Sequence, residues 1–313
     1  MNTRFIETFI TLARLKNFRA TANAMHATPA AISLRIKCLE DELRTELIDR
    51  SAKTFRLTAS GSHLLSHARS VIEAVRRMEA AAHPENTVRG CLRLGVNETV
   101  VHSWLAQYMT LLNRTYPELE VELSVEISSV MQKLLLAGDL DLVLRVEGID
   151  SEKIVSDALA VYPVRWIARK GFLPQRKGDA IKTMLRYPVL TFGRGTAPQR
   201  AIEQIVTTLA SQADIPVGQA RVMCSPSVAA IVQLIRDGFG VAAIPALFVA
   251  KEIDSGAFVE LPIQPTPPSI VLSMCRHADA DMYVHAAADA ARAACEEYCR
   301  QTDRRLVEAV ADK

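Results

Sequence analysis

The stretch from Phe18 to Glu46 (FRATANAMHATPAAISLRIKCLEDELRTE) constrains the fold more than any other part of the chain. Thr28 can cap a helix whose first residue is Pro29, where the missing N–H is not needed. Apolar residues then recur at helical spacing as one buried stripe: Ile32, Ile36, Leu39 and Leu43. A shorter, Ala-rich helix is expected just before it, at about 19–25. The pattern predicts two helices that cross closely at a short turn.

A basic segment, LIDRSAKTFRLT, follows this helix pair and is long enough for a two-stranded hairpin. Thr58 can then cap a further helix. Helix, turn, helix, basic hairpin and helix is the winged helix-turn-helix order, in which the second helix can enter a DNA major groove. An ordinary helical hairpin would explain the first two helices but not the basic segment.

These residues resemble the N-terminal pattern of the LysR-type transcriptional regulators. The likeness is carried by Phe9, Ala20, Ala24, the run TPAAIS from Thr28, Ile36, Leu39, Glu40, Leu47, Arg50 and the run LTASG from Leu57. It continues through RLGVNETVVHSWL, Tyr116-Pro117, LLAGDLDLVL and SPSVAAIVQLIRDGFGVAAIP, and so spans most of residues 4–300. The chain departs from the family at Leu34, where a polar residue is common, and at Arg44, where a glycine is usual.

The second part of the chain alternates apolar strands with helices, including one helix expected at about 99–116, which predicts an α/β domain with crossover connections. The fold class is therefore an α/β protein with a winged helix-turn-helix N-terminal domain and a bilobed, periplasmic-binding-protein-like effector domain. The predicted boundaries are a DNA-binding domain at 1–58, a linker helix at 59–83, a hinge at 84–90, a first lobe at 91–161 and 267–301, a second lobe at 162–266 and a frayed tail at 302–313.

The predicted linker helix carries an apolar seam at alternating spacings of four and three residues: Leu64, Ala68, Val71, Val75, Met78 and Ala82. Such a seam can pack on its own domain or pair with a second copy of the chain. The resemblance implies a homodimer, often paired further into a tetramer, with RNA polymerase as a further partner on the promoter DNA.

Charge and composition fit this organisation. The first 60 residues hold ten Lys and Arg against six Asp and Glu, whereas the net charge of the whole chain is only +2. A basic N-terminal module on a slightly acidic body suits a DNA reader. No apolar run approaches the roughly 18 residues of a membrane span, and the N-terminus does not look like a signal peptide, so we expect a cytoplasmic protein without a membrane partner.

Nothing in the sequence predicts catalysis or a bound cofactor. There is no GxSxG or HExxH motif, and the six cysteines form no CxxC pair or metal-ligand spacing. We therefore expect no enzyme activity, no metal and no cofactor apart from a small-molecule effector. Two rival functions remain open: a redox-responsive regulator of the same fold, with Cys224 near the ligand site, and a solute-binding protein.

The candidate DNA-binding residues lie on the second helix and the hairpin: Thr28, Ala30, Ser33, Leu34, Arg35, Lys37, Arg50, Lys53 and Arg56. Ser33 and Lys37 can hydrogen-bond to base edges or phosphates, while Ala30 and Leu34 can contact thymine methyl groups. The hairpin cations are expected on phosphates. For Lys53, simple solvation explains the charge equally well.

The candidate effector-binding residues lie where strands end and helices begin: Asn97, Glu98, Thr99, Ser128, Ser129, Arg145, Thr191, Arg194, Thr196, Ser225 and Ser227. Ligands collect at such junctions in open α/β sheets. Each hydroxyl could instead be a helix cap, and each arginine a partner in a surface ion pair. Arg145 and Arg194 predict an anionic effector, a small carboxylate or an amino-acid-like molecule. His102 is expected near the same cleft.

Overall fold

The structure is a computed structural model that describes residues 2–50, 54–82, 88–172 and 177–310. It divides into two compact units, Met1–Asn86 and Thr87–Lys313. The first unit contains α1 (Thr3–Leu15), α2 (Phe18–Ala24), α3 (Pro29–Leu43) and α4 (Ala59–Ala82).

Helix α3 begins as its sequence predicts. The Thr28 side chain accepts a hydrogen bond from the Ala31 N–H at 3.2 Å, and Pro29 occupies the first helical position. Three members of the predicted stripe are buried, namely Ile32, Ile36 and Leu39, and the last two share a core cluster with residues of α1. Leu43 is half-exposed at the end of the helix.

The segment after α3 returns on itself and leads directly into α4. Ile48 and Leu57 form an antiparallel bridge, and the Asp49 N–H donates to the Arg56 carbonyl at 2.9 Å. Residues 51–53 lie outside the described residues, as does the prediction made for Lys53.

The first turn of α4 is joined to the residues that follow α3. The Thr58 hydroxyl donates to the Glu46 carbonyl at 2.7 Å and accepts from the Gly61 N–H at 2.9 Å. The Thr58 N–H donates to the Leu47 carbonyl, and a Cβ at Gly61 would lie 2.1 Å from that same carbonyl oxygen. Only a glycine allows α4 to begin so close to this backbone.

The predicted seam on α4 divides between two surroundings. Leu64 and Ala68 pack against the core of the N-terminal unit. Val71 and Met78 are 37% and 68% exposed. Val75 is half-buried, and the side chain of Ala82 lies outside the described residues, as do residues 84–87 of the predicted hinge.

The second unit contains eight helices in the part of the chain that the structure describes, together with two short 3-10 turns and eleven strands. The helices are α5 (Glu98–Val101), α6 (Leu105–Thr115), α7 (Ser128–Leu136), α8 (Lys177–Leu185), α9 (Ala197–Gln212), α10 (Val228–Arg236), α11 (Ala250–Asp254) and α12 (Met282–Gln301). The strands are β1 (Gly90–Val96), β2 (Leu119–Val125), β3 (Leu142–Val146), β4 (Ile154–Tyr162), β5 (Val164–Arg169), β6 (Val189–Thr191), β7 (Val222–Cys224), β8 (Val241–Pro245), β9 (Phe258–Glu260), β10 (Ile270–His277) and β11 (Glu308–Ala309).

These strands form two mixed sheets, which we call the first and second lobes. The first lobe has the order β11-β4-β10-β3-β1-β2, with β1 parallel to β2 and β3. The second has the order β7-β6-β8-β5-β9, with β6 parallel to β7 and β8. The chain crosses from the first lobe to the second between β4 and β5 and returns between β9 and β10. In both sheets the parallel pairs bring strand ends and helix starts to one edge.

The helix expected at about 99–116 is divided. Helix α5 ends at Val101, and α6 starts at Leu105 after a turn that carries His102. The indole of Trp104 is fully buried at this break and donates through Nε1 to the Tyr162 hydroxyl at 3.1 Å. A buried aromatic anchor therefore fixes the position of α5.

The predicted frayed tail is wrong for residues up to 310. Val307 is fully buried, and β11 pairs antiparallel with β4 through Glu308 and Ala309. The Val310 N–H donates to the Leu159 carbonyl at 3.0 Å. Val307 packs in the core and Leu306 is partly buried against a second core cluster, while the backbone of this charged segment forms the edge of the first sheet. None of the helices in the described ranges combines the length and apolar character needed to cross a membrane.

Arg44 supplies a first test of the fold. It ends α3 in the left-handed region, with φ of 52°, the conformation that glycine adopts at low cost. We expect Arg44→Gly to stabilise the N-terminal unit by about 0.5 kcal/mol, because relief of left-handed strain outweighs the added chain entropy. Asp41→Gly, within α3, should instead destabilise it by about 0.5–1 kcal/mol. Urea unfolding of both variants checks this, and equal destabilisation would contradict it.

Candidate functional site

The exposed face of α3 carries most of the residues predicted to contact DNA. Thr28, Ala30, Ser33 and Lys37 are all exposed. Leu34 is 62% exposed and therefore presents apolar surface on the same face. Arg35 differs from them: it is half-buried, and its Nη1 is enclosed without a hydrogen-bond partner among the described residues.

A concave surface that encloses a volume of about 680 Å³ lies beside this face. It is lined by Lys16, Asn17, Phe18, Arg19, Ser33, Leu34, Ile36, Lys37, Ile48, Asp49, Arg50, Thr54 and Phe55. Lys16 and Arg19 add two exposed cations that the sequence reasoning did not select. They lie at the junction of α1 and α2, so only the folded structure brings them next to α3. Arg56 is exposed but does not line this surface.

Glu40 joins α3 to the segment that follows it. Its carboxylate is buried and accepts hydrogen bonds from the Leu47 N–H at 2.9 Å and the Ile48 N–H at 3.2 Å. Arg50 donates to the other carboxylate oxygen at 2.8 Å. Charge-assisted hydrogen bonds of this kind are strong, so Glu40 fixes both the hairpin base and the Arg50 guanidinium relative to α3.

The second unit contains a cavity of about 330 Å³ between its two lobes. Seven of the eleven predicted effector-binding residues line it: Asn97, Glu98, Thr99, Ser128, Thr196, Ser225 and Ser227. The other lining residues are Val125, Glu126, Ile127, Val146, Phe192, Gly193, Pro198, Pro226 and Val228. Strand ends and helix starts from both lobes thus meet at one cleft, as the sequence reasoning expected. We call this cavity the cleft.

Several polar residues of the cleft also cap helices. Asn97 Oδ1 accepts from the Val100 N–H at 3.1 Å, and the Thr196 hydroxyl accepts from the Gln199 N–H at 3.3 Å. Ser227 caps α10 in the same way. The capping role weighed against ligand binding therefore exists here, and it holds these side chains in place along the cleft wall.

Four predicted residues do not line the cleft. The Thr191 hydroxyl is buried and donates to the Ala243 carbonyl at 3.3 Å, and Ser129 is exposed on α7. Arg145 is also buried, and its Nη1 donates to the carbonyls of Glu147 and Gly148 at 3.1 and 2.6 Å.

Arg194, the fourth, lies in a separate surface depression with Cys224 and Arg221. The expectation of an anionic effector rested on Arg145 and Arg194, and that expectation loses its basis because neither arginine reaches the cleft.

Glu98 has contacts that its sequence position does not predict. Its Oε2 accepts from the Val228 N–H, the first residue of α10, at 2.9 Å and lies 3.1 Å from Nε2 of His102. Glu98 belongs to the first lobe and Val228 to the second, so this carboxylate bridges the cleft. Glu126, directly after β2, is a second carboxylate on the wall that the sequence reasoning did not select.

None of the six cysteines forms a disulfide bond. No group of three or more His, Cys, Asp or Glu residues in the described ranges could hold a metal ion. Burial raises the pKa of the Cys224 thiol and the Glu203 carboxylate adds to this, while the neighbouring Arg194 guanidinium acts in the opposite direction.

The first unit is a helix-turn-helix whose exposed helix is flanked by cations, and the second is a two-lobed α/β unit with a ligand-sized cleft. Together they define a ligand-responsive DNA-binding regulator. Residues 3–62 match the family model described as "Bacterial regulatory helix-turn-helix protein, lysR family". Residues 85–300 match the model described as "LysR substrate binding domain". The chain belongs to the LysR-type transcriptional regulators, which confirms the predicted family, the fold class and the function of an effector-responsive DNA-binding regulator.

Individual relatives agree with this assignment. The HTH-type transcriptional activator AaeR of Escherichia coli is 26% identical over 279 residues, which cover 87% of this chain and 86% of AaeR. The structure of ArgP from Mycobacterium tuberculosis has a TM-score of 0.71 at 20% identity, with 93% of this chain and 96% of ArgP covered. Full-length CbnR in complex with its target DNA has a TM-score of 0.57 at 20% identity, with 94% and 100% covered.

The hydrogen bonds of the Glu40 carboxylate predict the direction of change in both stability and operator binding. We expect Glu40→Gln to destabilise the N-terminal unit by about 1–3 kcal/mol, because an amide cannot accept all three hydrogen bonds. Operator binding should weaken although a negative charge has been removed. Glu46→Gln, the same charge change at an exposed position, should not weaken it. Thermal unfolding and a gel-shift titration measure the two effects, and tighter binding by Glu40→Gln would contradict the positioning role.

The Cys224 environment separates the redox alternative from the main assignment. Because its pKa is raised, less thiolate is present at pH 8 than for a free cysteine, and we expect slow labelling by iodoacetamide, followed by mass spectrometry. Cys224→Ser should leave operator binding and its response to ligands unchanged. A peroxide response present in the wild type and lost in Cys224→Ser would instead favour a redox sensor.

Proposed function

We propose that the exposed face of α3 reads base edges in the major groove. Ser33 and Lys37 have the side chains for hydrogen bonds to bases or phosphates, and Leu34 has the exposed apolar surface that suits thymine methyl groups. Thr28 and Ala30 continue the same face. The observation that carries the proposal is an exposed leucine beside exposed cations on a capped helix.

The cations around this face act on the phosphate backbone in the proposal. Lys16, Arg19 and Arg50 line the concave surface next to α3, and Arg56 lies on the hairpin. Contacts of this type position a protein on DNA without specifying its sequence. Lys53 remains a candidate of the same kind, and Arg35 is left as a supporting residue because it is half-buried.

The cleft is the proposed site of a small-molecule effector. Its volume of about 330 Å³ lies at the lower end of the range for ligand pockets, roughly 300–1,000 Å³. It combines apolar walls, such as Phe192 and Val228, with the polar groups of both lobes. A ligand that contacts both lobes changes their relative position, and this change would alter DNA binding or bending.

The regulator acts as a homodimer in this proposal. Val71 and Met78 present apolar surface on α4 that a second copy can cover. Two copies of α3 related by a dyad would read two half-sites about one helical turn apart. Pairing of dimers into a tetramer and contact with RNA polymerase are further parts of the proposal. We assign the protein to the cytoplasm because its DNA partner lies there.

The test is a selection of bound sequences from random double-stranded DNA with purified full-length protein. We expect an enriched palindrome whose half-sites lie about 10 base pairs apart, and affinity that falls with salt as phosphate contacts are screened. Recovery of no sequence preference, with salt-dependent binding retained, would overturn the base-reading role of α3.

Ser33 gives the sharpest single-residue prediction for this face. We expect Ser33→Glu to reduce operator affinity at least about 100-fold, because a carboxylate placed against DNA is repelled by phosphates and unmatched with bases. Ser211→Glu, the same change at an exposed position on α9, should bind like the wild type. Gel-shift titration on the selected sequence compares them. Near-normal affinity of Ser33→Glu would show that the recognition face has been assigned to the wrong side of α3.

A further inference from the structure

We propose that the ligand of the cleft carries a positively charged group, an ammonium or a guanidinium, and that Glu98 recognises it. The inference rests on the proposed role of the cleft as the effector site. It replaces the anionic effector that the sequence suggested, and it follows from which charged side chains reach the cleft wall.

The charges on the wall have one sign. Glu98 and Glu126 line the cleft, and no Lys, Arg or His does so among the described residues. Arg145 is directed into its own lobe by hydrogen bonds to two backbone carbonyls, and Arg194 lines the depression that holds Cys224. A ligand with a net negative charge would therefore face two carboxylates on the wall, whereas a cation would be attracted. His102 contacts Glu98 Oε2 but does not line the cleft.

Helix starts at the cleft are the counter-argument, since the N-terminal end of a helix favours anions. Two of them already have partners in the chain. Thr196 caps α9, and at α10 the Ser227 hydroxyl accepts from Ala230 while the Glu98 carboxylate accepts from Val228. The protein thus supplies its own anion to α10. The start of α7 has no side-chain cap, and the experiment below therefore includes anionic probes.

The geometry of Glu98 leaves room for a ligand. Both of its hydrogen bonds, to Val228 and to His102, use Oε2. Its Oε1 makes no hydrogen bond within the described parts of the chain, and the side chain is 32% exposed at the cleft. A carboxylate oxygen has two acceptor sites, so Oε1 can take an N–H of the ligand while Oε2 keeps the bond to α10.

The same contacts would make lobe closure sensitive to the bound charge. The Glu98 carboxylate links the first lobe to α10 of the second. Next to it, the His102 ring meets the ring of Phe248, also in the second lobe, edge-on with centroids 5.8 Å apart. A cation held at Oε1 therefore acts on the group that joins the two lobes, so ligand recognition and lobe position share one residue.

The binding experiment uses matched probe pairs on the full-length protein. L-arginine is compared with L-citrulline and L-lysine with L-norleucine, because each pair differs in side-chain charge at similar shape; succinate and glutarate are the anions. We expect a cationic probe to bind at least tenfold more tightly than its neutral partner by calorimetry. Equal binding within both pairs, or binding of the anions alone, would overturn the proposal.

Variants connect the preference to Glu98. Glu98→Gln keeps an oxygen for the Val228 N–H and removes only the charge, so the variant should fold and should bind the cationic probe at least tenfold more weakly. Glu120→Gln, an exposed residue of β2, is the matched control and should bind it normally. Unchanged binding by Glu98→Gln would overturn the assigned residue.

A second measurement can be made without knowing the natural ligand. Thr196→Cys places a thiol on the cleft wall. The rates at which this thiol is modified by a cationic (trimethylammonium) and an anionic (sulfonate) methanethiosulfonate report the local electrostatic potential. We expect the ratio of cationic to anionic rate to exceed the ratio for Ser211→Cys on α9, and to fall on adding Glu98→Gln. A lower ratio in the cleft would overturn the cationic class.

The outcomes also separate this inference from the proposed function. Anionic probes that bind and lose affinity in Thr196 and Ser225 variants would retain the cleft as the effector site and reject only its charge preference. A cationic probe that binds equally well to wild type, Glu98→Gln and the Glu98→Gln/Glu126→Gln pair would bind outside the cleft, and would remove both proposals.

Discussion

The buried Glu40 carboxylate is the interaction on which the DNA-binding unit depends. It accepts two backbone N–H groups just beyond α3 and one arginine N–H, so a single side chain sets where the helix ends, where the hairpin begins and how Arg50 points. Because the carboxylate and its two backbone donors are buried, the network costs more to break than an exposed ion pair would, although the Arg50 side chain itself is largely exposed. The face of α3 and the cations around it are thereby preorganised before DNA is bound.

The sequence was sufficient for the helix pair of the DNA-binding unit and for the edge of the sheets where polar residues gather. Capping by Thr28, the apolar stripe on α3 and the strand ends before Asn97 and Ser225 are local signals, and parallel pairing turns them into one cleft. Side-chain direction was not accessible in the same way. Arg145 lies near the end of β3 and Ser128 at the start of α7, yet the Arg145 guanidinium bonds to neighbouring carbonyls instead of reaching the ligand site.

The contacts that sequence reasoning missed are those between distant segments. Glu98 and Val228 are 130 residues apart in the sequence. No local sequence pattern predicts that the Glu98 carboxylate accepts a hydrogen bond from the first residue of a helix in the other lobe. The charged C-terminal segment predicts a frayed tail but forms strand β11, because its pairing partner, β4, lies about 150 residues earlier in the chain. Lys16 and Arg19 likewise join the DNA face only through the packing of α1 and α2 beside α3.

The rigid attachment of α4 gives that helix a mechanical property. Thr58, just before the first turn, donates to the carbonyls of Glu46 and Leu47, and the absence of a side chain at Gly61 lets the helix lie directly on the Leu47 carbonyl. Its 24 residues form a lever about 36 Å long at 1.5 Å per residue. If the DNA-binding unit tilts by about 10°, the far end of α4 moves sideways by about 6 Å. A small change in the angle of this unit on DNA therefore corresponds to a large displacement of the C-terminal end of α4.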